Sequence, residues 1–150
     1  MTTISIYKEE IAERGFTIIP DFYGPEAIEA MTVSIETADS SSEAFRKTSD
    51  LFAIRQVLKT IPGLQALVFN ERLNQLVRTL FGNGFFTVKS IYFDKPAASN
   101  WYVAYHQDLT ISVDKKAAAE GFGSWTAKQD QFAVQPPPEI LENIFTIRIH

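Results

Sequence analysis

The chain reads as an α+β protein, with helices in its first part and strands in its second. Two patterns carry that reading. Over residues 1–84 the apolar residues recur at helical spacing between recognisable caps; over 85–150 they gather into short β-branched and aromatic runs set between turn residues. A third observation sets the scale. The chain has 150 residues, 45% apolar and 21% charged, which suits one soluble domain over 1–150 with its own core. Helices followed by strands is the order expected when helices back a sheet.

Taken in order, "SIYKEEIAER" at 5–14 has the make-up of a short helix, with Gly15 placed to close it. "FTIIP" follows as a short strand. In "YGPEAIEAMTVSIETA", Pro25 stands where a first helical residue belongs, and Ile28, Met31 and Ile35 then repeat at helical spacing. "DSSSEAFRKTSD" is polar and serine-rich and reads as a loop or lid. The clearest helix comes next. Asn70 can cap it, Leu73, Leu76, Val77, Leu80 and Phe81 make one apolar stripe, and Gly82 ends it. "FFTVKSIYF", "WYVAYHQD" and "TISV" read as strands. A long irregular stretch holding Gly121, Gly123 and "QPPP" follows, and "IFTIRIH" closes as a last strand. That last strand has nothing after it to pair with, and an open strand edge invites association with a second copy.

Composition excludes several function classes. The chain has no cysteine, so disulfides, zinc–thiolate sites, iron–sulfur clusters and cysteine nucleophiles are ruled out, and a reducing cytoplasm fits. Net charge is −4, with no clustered Lys/Arg face of the kind that binds a phosphate backbone, so no nucleic-acid partner is expected. The N-terminus turns charged within a few residues and lacks a secretory apolar core. No apolar run approaches the roughly 20 residues of a membrane span. "GFGSWT" lacks the Gly-x-Ser-x-Gly turn of a hydrolase, and "FGNGFF" lacks the Lys-Ser/Thr end of a phosphate loop.

One short motif carries chemistry. In an extended strand, residues i and i+2 point to the same side. His106 and Asp108 in "AYHQDL" would thus offer an imidazole nitrogen and a carboxylate oxygen to one point. That is two thirds of the two-histidine, one-carboxylate triad that holds iron(II) and leaves other positions open. On spacing alone the signal is weak, and a hydrogen-bonded histidine at a strand end beside a solvated aspartate is the favoured reading.

The order "FTVKSIYFDKP…WYVAYHQDLTISVD…GFGSWTAKQDQFAVQPPPEILENIFTIRIH" resembles the phytanoyl-CoA dioxygenase family, and the opening "YKEEIAERGFTIIPDFYGPEAIEAM" resembles that family's N-terminus. The resemblance runs over nearly the whole chain and is most specific at "HQD". It implies a non-haem iron(II)- and 2-oxoglutarate-dependent oxygenase that hydroxylates a small molecule. The implied fold is a set of N-terminal helices packed on part of a double-stranded β-helix, a jelly-roll or cupin-like fold incomplete at the C-terminus. His106 and Asp108 match the first two iron ligands. Arg148 lies near a cosubstrate-contacting position, and Lys89, on the strand before the "DKP" turn, is a second candidate contact for 2-oxoglutarate. The family's second histidine ligand and distal arginine come later in the pattern, and His150 does not match that ligand's place. The expectation is therefore an N-terminal portion of an oxygenase. The rival reading is a truncated, non-catalytic relative that binds a ligand or associates with itself.

Overall fold

The computed structural model describes residues 3–41, 44–47, 52–94, 104, 108–128 and 131–150. Its class is α+β: among the described residues there are six helices and two small, open antiparallel sheets. The chain divides into two compact units, residues 1–42 with 56–86, and residues 43–55 with 87–150.

The first unit is helical. Helix α1 (Thr3–Arg14) is closed by Gly15, whose N–H donates to Ile11 O at 3.0 Å. Helix α2 (Pro25–Glu36) starts on Pro25, where the missing N–H costs nothing because the first helical donors have no intrahelical acceptor. Helices α3 (Val57–Thr60) and α4 (Leu64–Val68) are single turns. Helix α5 (Glu71–Phe81) is capped by Asn70, whose Oδ1 accepts from Leu73 N at 2.9 Å. It ends at Gly82, with φ +92°, a conformation that a residue with a Cβ rarely adopts. Helix α1 packs on α5, and α2 and α3 on α4. Met31, Val57, Ile61, Leu64 and Leu73 are buried in this unit. Tyr23 and Arg72 tie the loop before α2 to the later helices. Tyr23 Oη donates to Val68 O at 2.7 Å. The Arg72 guanidinium lies 4.5 Å from the Phe22 ring centroid and donates to Phe22 O.

The second unit holds the six strands found among the described residues and helix α6 (Pro138–Leu141). Strands β1 (Phe45–Lys47), β2 (Phe52–Arg55) and β3 (Ile91–Asp94) form one sheet in that order, with Phe45 opposite Ile54 and Ile54 opposite Tyr92. Phe45, Phe52 and Tyr92 make a row of rings spaced about 6 Å apart. Ala53 and Ile54 of the central strand are both buried although they face opposite ways. Strands β4 (Ile111–Val113), β5 (Gly123–Lys128) and β6 (Gln131–Gln135) form the other sheet, with β6 in the middle. Val134 and Ile111 oppose each other and are both buried.

Five expectations change. Among the described residues "FTIIP" is in no strand ladder and its own unit holds no strand; Ile18 stays 73% exposed. Within "DSSSEAFRKTSD", Phe45–Lys47 is a strand rather than loop, since β2 supplies its ladder. The strand expected over "FFTVKSIYF" shrinks to Ile91–Asp94, as β2 is four residues long and offers partners only there. The irregular stretch contains the β5–β6 hairpin. It is disguised by a register shift between Gly123 and Thr126 and by Ser124 at φ +50°, the signature of a bulge. Gly121 permits its approach to "QPPP": a Cβ there would sit 3.0 Å from Pro137 Cγ, at φ +78°. The last expected strand, "IFTIRIH", joins neither sheet among the described residues. Strand β6 already has β4 on one edge and β5 on the other, and Ile144, Ile147 and Ile149 are each about 40% exposed. Strand "WYVAYHQD" falls mostly outside the described residues, and Ala104 and Asp108 within it are not in a strand.

Candidate functional site

The site builds from two backbone segments of the second unit. Residues 108–110 lead directly into β4, and residues 87–90 lead into β3. Ser112 N donates to Val88 O at 3.0 Å, which pins the two segments side by side. The Ser112 hydroxyl in turn accepts a hydrogen bond from Gln131 Nε2 on β6, so the junction is tied to the middle strand of its sheet. With Val88 fixed against Ser112, the next residue, Lys89, reaches Asp108. Lys89 Nζ stands 3.6 Å from Asp108 Oδ1. The Asp108 side chain is 77% exposed and that of Lys89 32% exposed. The carboxylate is therefore open to solvent on the side away from the ammonium.

Two of the residues singled out in the sequence thus come together, Lys89 and Asp108. His106 and Gln107 lie outside the described residues. Arg148 and His150 are exposed in the irregular segment after α6, and no ion pair joins Arg148 to Asp108. Residues 144–150 are not in a strand, so parity does not set Arg148 and His150 on one face. Among the described residues no three His, Asp or Glu side chains gather as a metal-holding group. Ser112 and Gln131 were not legible as site residues. Their role depends on a contact across 19 residues between two strands, and no local pattern announces it.

Chemically, the pair offers an oxygen donor of the hard type suited to a divalent cation, and beside it a cation suited to an anionic ligand. Trp125, on β5 of the same unit, has Lys116 Nζ at 6.0 Å from its ring centroid, the outer limit of a cation–π contact.

A concavity lies in the helical unit. It is an open groove of about 530 Å³ lined by Ser34, Thr37, Asp39, Thr60, Ile61 and Pro62. Its polar groups are already engaged. The hydroxyls of Ser34 and Thr37 donate to Ala30 O and Val33 O. The Asp39 carboxylate accepts from Ser41 N at 2.9 Å, and the hydrogen bonds from Ser41 hold it below the usual carboxylate range. The groove brings together no acid–base pair and offers less chemistry than the Lys89–Asp108 junction.

Among the described residues no helix is long and apolar enough to cross a membrane. Compared with protein-family models, with curated proteins and with solved structures, the chain finds no match in any of the three.

Proposed function

We propose that the protein is a non-haem iron(II)- and 2-oxoglutarate-dependent dioxygenase that hydroxylates a small molecule. The observation that carries this reading is the solvent-open Asp108 carboxylate, two residues from His106, with the Lys89 ammonium 3.6 Å away. The donor chemistry fits a ferrous ion: one nitrogen and one oxygen donor, in a chain with no sulfur ligand from cysteine. Lys89 is the one group at odds with a divalent cation, since like charges repel at this distance.

His106 and Asp108 would hold the ion. When bound, it supplies oxygen activation coupled to the oxidative decarboxylation of 2-oxoglutarate. The chain's own residues do the rest. Asp108 contributes a full negative charge, lowering the net charge of the loaded site. Lys89 offers a positive charge within reach of an anionic cosubstrate, and Arg148 is the second cation assigned to that role. The double-stranded β-helix belongs to the same proposal; two open antiparallel sheets, with helices before and between their strands, support it.

The test is succinate formation by the purified protein. The reading predicts succinate only when 2-oxoglutarate, iron(II) and oxygen are all supplied, and its loss in His106→Ala. Oxygen- and iron-independent turnover, or turnover equal in His106→Ala, overturns it.

A second reading, a self-associating β protein without catalysis, is favoured by one observation. Ile144, Ile147 and Ile149 are each about 40% exposed on a segment that joins neither sheet. Sedimentation that stays monomeric at every concentration removes it.

A further inference from the structure

We propose that Asn83 is a site of spontaneous deamidation, at which the side-chain amide carbon is captured by the backbone nitrogen of Gly84 and ends as aspartate or isoaspartate. The co-reactant is water, and the Lys89–Asp108 junction plays no part.

Three observations carry it. Asn83 and Gly84 lie in an exposed bend just after α5, close to residue 86, where the chain leaves the helical unit. Of the five asparagines in the sequence, Asn83 alone is followed by glycine. Gly84 stands at φ +90°, and a Cβ built there would meet nothing within 4 Å. Among the described residues no hydrogen bond engages the Asn83 amide or the Gly84 N–H. The other described asparagines are held. Asn70 Oδ1 accepts from Leu73 N, Asn74 Nδ2 donates to Phe69 O, and Asn143 Nδ2 donates to Glu139 O.

The chemistry needs each of these features. The Gly84 nitrogen must give up its proton and reach Asn83 Cγ. An N–H held by an acceptor resists losing its proton, and a side chain held by a hydrogen bond resists turning. Glycine in the second position removes the Cβ that would crowd the approach and lets the backbone swing. The bond from Gly84 N to Asn83 Cγ then forms and the bond from Cγ to Nδ2 breaks. The proton from Gly84 leaves with the amide nitrogen as ammonia, and a cyclic imide remains. Water adds to one of its two carbonyls and the ring opens. Breaking the bond to Cγ gives aspartate; breaking the bond to the backbone carbonyl carbon gives isoaspartate.

Either product adds one negative charge to a chain of net charge −4. The new carboxylate stands one residue beyond Gly82, the cap of α5, at the negative pole of the helix. Isoaspartate also lengthens the backbone by a methylene between Phe81 and Phe85, whose rings meet edge to face at 6.2 Å across the bend. Both changes loosen the end of α5.

The experiment ages the purified chain in mildly alkaline buffer at body temperature, beside Asn83→Gln and a synthetic peptide TLFGNGFFTVK. Tryptic fragments are followed by mass and by separation of aspartate from isoaspartate, with an unaged sample as baseline. Trypsin sets each asparagine on its own fragment, Asn83 on residues 79–89. That fragment is expected to change from amide to acid, with both products present, at a rate within about tenfold of the free peptide's and at least about tenfold above the Asn70, Asn74 and Asn143 fragments. Tenfold is the effect of about 1.4 kcal/mol on a barrier, the scale of one hydrogen bond. Asn83→Gln, whose ring would need one more atom, is expected to stay unchanged over the same time. Aged protein is expected to unfold at a lower temperature than fresh protein. A rate in the folded chain more than about tenfold below the peptide's overturns the proposal, because the fold then shields Asn83. So does failure to outpace the held asparagines by that factor, or a product of aspartate alone, the mark of direct hydrolysis without the ring. Equal unfolding temperatures before and after ageing overturn the loosening of α5. Circular dichroism checks that Asn83→Gln keeps the fold.

Discussion

Ile111 and Val134 face each other across the β4–β6 ladder, and both are buried, Ile111 to 7% exposure and Val134 to 0%. This cross-strand pair lies three residues beyond Asp108. It holds the strand into which the Asp108 segment leads, and it does so by apolar contact, since no polar side chain is buried among the described residues.

Truncating Val134 to alanine removes two buried methyl groups and leaves a small void. The expected cost is about 2 kcal/mol of stability, read as a lower midpoint in urea unfolding at unchanged slope. A loss below about 0.5 kcal/mol would show that β6 is not the packed centre of its sheet.

The helical unit offers an independent check at α5. Asn70→Ala removes the Oδ1 that accepts from Leu73 N and should cost about 1 kcal/mol, whereas Asn70→Ser, which keeps an acceptor at the cap, should recover most of it. Equal stability of all three proteins would mean that the cap is not formed in solution.

Tyr23 gives a pH signature. Burial pushes its phenol above the ordinary tyrosine value of about 10, so the folded protein holds that proton more tightly than the unfolded chain. The contribution is fully present below about pH 10 and declines as pH rises through the higher folded-state value. Tyr23→Phe loses the hydrogen bond to Val68 O, a cost of about 1 kcal/mol at neutral pH. Its stability should then fall less steeply than that of the unaltered protein above pH 10. Parallel alkaline profiles would count against burial of the phenol.

Legibility followed the locality of each interaction. Helices α1, α2 and α5 could be read because their signals sit within a turn of the residues they organise: Gly15, Pro25, Asn70 and Gly82 act on neighbours. Strands were harder, because a strand exists only with its partner. "FTIIP" and "IFTIRIH" have the composition of strands and no ladder, whereas Phe45–Lys47, in a polar stretch, has one. The β5 segment was hidden by Gly123 and by Ser124 at φ +50°, residues that read as loop and serve a bulge. At the site, Asp108 was singled out by its spacing from His106, and Lys89 by its place before the "DKP" turn. Their meeting at 3.6 Å depends on the Ser112–Val88 bond, which spans 24 residues and leaves no mark on either segment alone.

Titration of anaerobic iron(II) into the protein and into His106→Ala and Asp108→Asn tests the central claim most directly. The account predicts that each substitution weakens binding by at least about tenfold, in keeping with the loss of one donor of a chelating pair. Iron(II) binding that is equal in all three proteins would contradict it.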